Sequence, residues 1–318
     1  MISIVVSMYN SKPEIIELLD KLFFPSLINN ASPQKQFILI DDASPLASET
    51  KDIVNKYRTR LESNFGDFQF HKNDRNLGFS NSYNKGIKLA GGDVVMILND
   101  DIYLPQCSVD ALCEVLKSNK DYGAVGPVTN HAGNFQNTKL FEGIKDYSAQ
   151  ELLRVEHFAK WLRDVMAGKV YEVTEWGLFG FCLAIHKSTL NDVGYFDERY
   201  EYGNFEDIDL NRRIKAYAKK LILDASTFVV HRGPDLSLSS MMQNKWKYNK
   251  SLYINRLRYA KRWNDYSGAF LQMIIGYAQL LDIGTVTRDI KKEAKRKDLW
   301  ETYKKEIKAS PPYKVGFF

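Results

Sequence analysis

The 318-residue sequence predicts an α/β fold: a mostly parallel central sheet flanked by helices, followed by a helical, basic C-terminal region. Three observations predict it. Short runs that are apolar throughout alternate with segments of helical periodicity, as in parallel sheets covered on both faces. Several of those runs end in polar or acidic residues, the place where such sheets bind ligands. Beyond about Leu236 the apolar runs give way to a helical pattern rich in lysine and arginine.

Residues 2–7 are apolar and β-branched and stop at Tyr9-Asn10-Ser11, which reads as a buried strand entering a loop. Lys12-Pro13-Glu14 opens a helix with proline in its first turn and Ile15, Leu18, Leu19 and Leu22 on one face. Residues 37–40 form a second strand, ending in Asp41-Asp42-Ala43-Ser44-Pro45, and a helix follows through Ile53, Val54 and Tyr57. A third strand covers residues 68–71, and a helix over 80–89 is closed by Gly91-Gly92. Val94, Val95, Met96, Ile97 and Leu98 make the fourth strand. Between Cys107 and Leu183 the pattern gives a helix, glycine-containing loops, a helix near 151–165 and a strand over 176–185.

A chain of this length buries enough apolar surface to need no staples. Hydrophobic content of 44% and charged content of 26% place it with soluble globular proteins. Three cysteines, Cys107, Cys113 and Cys182, without metal-ligand spacing, read as reduced structural cysteines in a cytoplasmic protein. No signal peptide is expected, because the first strand begins at once. The most apolar stretch, residues 270–281, is broken by Gln272, Gly276 and Gln279 and is too short to span a membrane. The net charge of +5 is uneven, with Lys291, Lys292, Lys295, Arg296 and Lys297 clustered near the end. The plain reading is a solvated helix face; the alternative is contact with an anionic membrane surface or a polyanionic acceptor.

Asn99-Asp100-Asp101 follows five apolar residues. Adjacent carboxylates at a buried strand end repel each other unless something positive sits there, and a divalent cation answers that need. Capping of a following helix answers it equally well. Asp41-Asp42 poses the same choice, between a helix cap and a contact to a nucleobase or ribose. In Arg75-Asn76-Leu77-Gly78, Gly78 permits close backbone approach and Arg75 could pair with phosphate or with a strand-end acid. No Walker A or G-x-G-x-x-G sequence is present, which argues against a P-loop or a dinucleotide fold. Glu206-Asp207-Ile208-Asp209 enters a helix, where acids either favour the dipole or stand ready to deprotonate a hydroxyl. His231 ends the apolar run Phe228-Val229-Val230, placed to be a structural histidine or a metal or phosphate ligand.

In this order the pieces resemble the inverting family 2 glycosyltransferases of GT-A fold, over roughly residues 1–263. The resemblance rests on Ser7-Met8-Tyr9-Asn10, Asp41-Asp42-Ala43-Ser44, Asn76-Leu77-Gly78-Phe79, Asn84-Lys85-Gly86, Leu98-Asn99-Asp100-Asp101 and Gly180-Phe181-Cys182. It continues through Gly194-Tyr195-Phe196-Asp197, Glu206-Asp207-Ile208-Asp209, Arg213 and Val230-His231. It implies a nucleotide-diphosphate-sugar donor, held through Ser7, Tyr9, Asp41, Asp42, Arg75, Asn76, Gly78 and Asp100. It implies Mn2+ or Mg2+ on Asp101 and His231, with Asn99 standing where the family's motif has its first aspartate. Asp207 would be the catalytic base, with Glu206 as competitor, and Trp176 and Gly180 would shape the acceptor cleft.

The resemblance further implies residues 1–235 as the catalytic domain, with 1–105 its donor half and 106–235 its acceptor half. Residues 236–318 would be a helical appendage. The expected acceptor is a saccharide or glycolipid in surface polysaccharide synthesis, with rhamnosyltransferases the nearest subgroup. The expected location is the cytoplasm, with peripheral contact at the inner membrane surface through the basic region. Alternatives are transfer to a protein or modified nucleic acid, and a non-catalytic nucleotide-sugar-binding protein of the same fold.

Overall fold

The computed structural model describes residues 1–174, 177–200, 203–232, 245–265 and 283–296. Trp176, the apolar stretch 270–281 and Lys297 of the basic C-terminal cluster lie outside the described residues.

The first half winds as the apolar runs dictate. Strand β1 (Ile2–Met8) leads into α1 (Pro13–Leu18), a wide π-type turn (Leu19–Phe23) and α2 (Phe24–Asn29). Pro25, which has no N–H to give the preceding turn, sits where the wide turn resumes as α-helix. Then come β2 (Lys35–Asp41), α3 (Ala47–Asn64), β3 (Asp67–Lys72), α4 (Phe79–Leu89) and β4 (Val94–Leu98). Strands β3, β2, β1 and β4 lie side by side and all parallel. Every residue of β2 and β4 is buried, which is why those runs show no alternation.

Past β4 the sheet is mixed. The short strand β5 (Ile102–Tyr103), α5 (Ser108–Ser118), β6 (Tyr122–Thr129), α6 (Ala149–Met166) and β7 (Val170–Glu172) precede β8 (Cys182–His186). They are followed by α7 (Lys187–Val193), α8 (Glu206–Ala216) and the long β9 (Lys220–His231). Strand β8 runs antiparallel to both β4 and β6, β9 runs parallel to β6, and β5 and β7 add to β9 antiparallel. A short apolar run carries no mark of its direction, so this reversal was not visible in the residues.

The strand expected over 176–185 begins only at Cys182. Gly177 has a positive φ of 102°, a left-handed turn that a strand cannot contain, and the chain stays irregular to Phe181.

Two C-terminal helices, α9 (Lys245–Trp263) and α10 (Ile283–Arg296), pack onto this body. Val286, Ile290 and Ala294 of α10 are buried in the main core, and Asp289 accepts a 2.7 Å bond from the Tyr171 hydroxyl. Among the described residues no helix is long and apolar enough to cross a membrane.

One close approach sets where α4 lies. A Cβ on Gly86 would fall 2.3 Å from Cγ1 of Val5 in the middle of β1. Gly86→Ala gains about 1 kcal/mol of helix propensity. The overlap with a buried, branched side chain is expected to outweigh it and leave a net loss of about 1–2 kcal/mol in urea unfolding. Adding Val5→Ala should make the pair less than additive; full additivity would show that the two side chains do not compete for that space.

Candidate active site

The polar ends of β1, β2, β4, β6 and β9 open at one end of the sheet. Ser7 and Tyr9 flank Met8 at the end of β1, both half-buried, while Asn10 is fully buried. The Asn10 main-chain N–H donates to Ser44 Oγ at 2.8 Å and its side-chain amide donates to Thr50 Oγ1 at 2.9 Å. These bonds tie the end of β1 to the start of α3.

Asp41 and Asp42 have different tasks. Oδ1 of Asp41 accepts from the Ser44 N–H at 2.9 Å, and Lys72 Nζ stands 4.0 Å from Oδ2. The Asp42 carboxylate accepts from Asn73 Nδ2 at 2.8 Å, from Leu77 N–H at 2.8 Å and from Gly78 N–H at 2.9 Å. It therefore braces the loop ahead of α4, a use that the choice between helix cap and nucleoside contact did not include. Gly78 has φ +81° and caps α4, and Asn76 Oδ1 takes a second bond from its N–H at 3.0 Å. Arg75 and Asn76 are exposed on this loop.

Asp100 and Asp101 sit at the mouth of β4. Asp101 faces His231 through strand register. Ile102 pairs with His231 across β5 and β9, and the Arg232 N–H donates to the Asp101 carbonyl at 2.9 Å. Nε2 of His231 lies 3.4 Å from Asp101 Oδ1, an ion-pair distance that leaves this buried oxygen without a hydrogen-bond donor. Nδ1 of His231 is 3.0 Å from the His131 carbonyl, so Nδ1 carries the proton and Nε2 is the face turned to Asp101.

The electrostatics follow from this pairing. Burial opposes charge on both partners, yet the Asp101 carboxylate holds the His231 imidazole above its ordinary pKa and is itself held below its own. Asp100 has no such partner. Burial, and then the charge of Asp101, push it up to about 7. Among the described residues no three His, Cys, Asp or Glu side chains converge as a metal cage. The donor set is one carboxylate and one imidazole with an orphaned buried oxygen between them. That suits a cation that takes its remaining ligands from a diphosphate.

The second acidic cluster divides as the first does. Glu206 and Asp207 open α8, while Asp209 turns inward and is fully buried. Asp209 accepts from Arg213 Nε at 2.9 Å and from Trp263 Nε1 at 2.9 Å, and Arg262 Nε is 3.2 Å away. It is a structural ion-pair centre. Asp207 accepts from the Gly180 N–H at 3.0 Å and from the Ile208 N–H at 2.7 Å. Burial raises its pKa, and those two N–H groups work against the rise. Glu206 is pushed well above the ordinary range by burial and then by the Asp207 charge, and its Oε2 has no hydrogen-bond partner.

Two consecutive residues join the clusters. Gly180 gives its N–H to Asp207, and Phe181 stacks face to face on the His231 ring, with centroids 4.8 Å apart and planes 9° apart. The Phe181 carbonyl accepts from the Asn99 N–H at 2.9 Å. Three residues that the sequence reading did not single out set this arrangement. Asn130 brackets the His231 backbone, donating to its carbonyl at 3.0 Å and accepting from its N–H at 2.9 Å. Buried Gln136 accepts from Phe179 N–H at 2.8 Å and donates to the Pro127 carbonyl at 3.0 Å, and Asn134 donates to the Gly177 carbonyl at 3.3 Å. The one signal for them was a run of amides, Asn130, Asn134, Gln136 and Asn137, just after an apolar strand.

With the geometry in place, comparison with known proteins adds the following. Residues 3–176, more than half of the chain, match the family described as Glycosyl transferase family 2. A poly-beta-1,6-N-acetyl-D-glucosamine synthase of Staphylococcus epidermidis is 25% identical over 196 residues, 62% of this chain and 42% of that protein. The chain thus spans less than half the length of that relative. The crystal structure of GalNAc-T7 with UDP, GalNAc and Mn2+ superposes with a TM-score of 0.60 at 16% identity, covering 98% of this chain and 58% of that one. A mannosyltransferase from Pyrobaculum calidifontis in complex with GDP-Man and Mn2+ superposes with a TM-score of 0.52 at 15% identity, covering 94% and 87%. At these identities the superpositions establish the fold, the GT-A arrangement of an α/β mixed sheet between helices.

Gln136→Leu removes the acceptor of the Phe179 N–H and the donor to the Pro127 carbonyl. It is expected to cost about 2–4 kcal/mol in chemical denaturation. A loss below 0.5 kcal/mol would mean that the 177–180 loop does not depend on this amide.

Proposed function

The chain belongs to glycosyl transferase family 2, and from that premise we propose that it moves a sugar from a nucleotide-diphosphate-sugar to an acceptor hydroxyl, with inversion at the anomeric carbon. One observation carries the reading: adjacent Gly180 and Phe181 hold Asp207 and His231, so a base and a cation-binding pair border one crevice. A purely structural use of the strand-end acids would not need an orphaned carboxylate oxygen facing an imidazole.

The residues take these roles. Asp101 and His231 Nε2 would hold Mn2+ or Mg2+, which would neutralise charge on the leaving diphosphate. The Mn2+ in both structural neighbours supports that choice. Ser7, Tyr9, Asp41, Asp42, Arg75, Asn76, Gly78 and Asp100 line the donor side. Asp42 contributes chiefly by bracing the loop that carries Asn76 and Gly78. Asp207 removes the proton from the acceptor hydroxyl as that oxygen attacks the anomeric carbon opposite the departing diphosphate. Between the two adjacent acids, Asp207 is the base, because two N–H partners favour its ionised form, whereas Glu206 has an unpartnered buried oxygen and is pushed up by burial and by the Asp207 charge. Gly180, and Trp176 beyond the described residues, belong to the acceptor side.

The finer proposals follow the same line. Residues 1–105 form the donor half and 106–235 the acceptor half. The acceptor is a saccharide or glycolipid of a surface polysaccharide, which the Staphylococcus relative supports by its name. Segment 194–209 favours a rhamnosyltransferase-like donor choice. The exposed Lys292 and Lys295 of α10 suit peripheral contact with an anionic membrane surface on the cytoplasmic side.

Hydrolysis and transfer with a panel of UDP-glucose, UDP-N-acetylglucosamine, GDP-mannose and dTDP-rhamnose test the reading. Asp207→Asn is expected to lower turnover by about 10²–10⁴-fold while nucleoside diphosphate binding persists. Near-normal turnover would move the base elsewhere. A chelator should abolish activity and manganese restore it; undiminished turnover in chelator would sink the cation site. The pH dependence has a definite sign. Because burial raises the Asp207 pKa, the group protonates sooner as pH falls. The acidic limb of kcat should therefore lie above the ordinary aspartate range and be absent from the residual activity of Asp207→Asn.

A further inference from the structure

Glu206 and Asp207 are reached through an unusual piece of backbone. Gly203, Asn204 and Phe205 have φ of +77°, +71° and +75°, three consecutive residues in the left-handed region. Only glycine adopts that conformation without cost, and a bulky aromatic residue is poorly suited to it. A segment of this kind persists only where its surroundings hold it, and such segments gather at functional sites.

The surroundings here are α9. Asn255, fully buried, donates from Nδ2 to the Gly203 carbonyl at 3.0 Å and to the Asn204 carbonyl at 3.2 Å. One turn on, the Tyr259 ring packs on Phe205 with centroids 5.5 Å apart, and both side chains are buried. One further turn on, Trp263 Nε1 donates to Asp209 at 2.9 Å. Positions 255, 259 and 263 share one face of α9, so a single helix face grips the left-handed segment and the first turn of α8 together. Arg212 of α8 answers from the other side, donating to the Tyr259 hydroxyl at 3.1 Å and to Asp265 at 2.7 Å.

We propose that α9 is part of the apparatus that aims Asp207, and that Asn255 is its principal positioning residue. The proposal rests on Asp207 being the base. None of the α9 contacts described involves the Asp207 carboxylate itself. They fix the peptide groups from which α8 starts, and that start is what brings Oδ2 of Asp207 under the Gly180 N–H. If the bonds from Asn255 are lost, residues 203–205 are free to relax toward ordinary φ values and turn Asp207 away from the crevice. Displacement of a catalytic group by about 1 Å costs on the order of 10²-fold in rate. The donor side of the site, built on β1, β2 and the loop before α4, is untouched by this change.

The test is hydrolysis of whichever panel nucleotide-sugar the wild-type chain turns over fastest, alongside equilibrium binding of UDP, GDP and dTDP with manganese. Asn255→Leu keeps the volume and removes the donor. It is expected to lower kcat at least 10-fold, with nucleotide binding changed less than about twofold. Asn255→Gln, which retains an amide donor, should recover part of that loss. A kcat within twofold of wild type in Asn255→Leu would overturn the proposal, and so would an equal loss of nucleotide binding, which a general support of the fold would produce. Should Asn255→Leu fail to fold, Trp263→Phe decides. It should lower kcat two- to fivefold at unchanged nucleotide binding, and an unchanged kcat rejects the proposal. Asp207→Asn, measured in parallel, separates the two layers: if that variant stays active the base assignment has failed, whatever the α9 variants do.

Discussion

Carboxylates must be kept at the end of a buried sheet with little water to stabilise them, and the rest of the site is organised around meeting that cost. An ionised group taken out of water needs donors or an opposite charge close by. The chain meets that need with main-chain N–H groups in some places and with arginine in another. Asp42 is served by Leu77 and Gly78, and Asp207 by Gly180 and Ile208. Asp209 is served by Arg213, Arg262 and Trp263, and it is sealed. Among the described residues, Asp101 faces an imidazole with one buried oxygen unserved.

The first half was legible because its physics is local. Strands β1, β2 and β4 each contain a continuous apolar run, and glycine, proline or acid marks the loops that follow. The boundaries of β4 and α4 fell within a residue of the expectation. The second half was legible only in part. The direction of β8 is set by its neighbours, and the backbone angle of Gly177 keeps the expected strand from starting before Cys182. Within the acidic run 206–209, alternate residues look alike in sequence, yet a helix turns Asp209 inward and leaves Asp207 at the crevice. The amides Asn130, Asn134 and Gln136 act on main-chain groups far along the chain, and neither periodicity nor spacing marks such partners.

The C-terminal region shows the limit of composition as a guide. Its lysines and arginines suggested a solvated or surface-binding appendage. In the described parts its apolar and aromatic residues do the joining. Val286, Ile290 and Ala294 enter the core, and Tyr259 and Trp263 close over the start of α8. Arg262 likewise pairs with buried Asp209.

The meeting of Asp101 with His231 is a matter of ladder register, since it depends on Ile102 standing opposite His231 in a strand only two residues long. Side chains along a strand alternate faces, so one residue gained or lost on either side of that ladder turns one of the two side chains to the opposite face. Apart from Asp101 and His231 themselves, residues 98–102 and 229–232 can therefore change in composition more freely than in length. An insertion harmless to the core would still part the carboxylate from the imidazole.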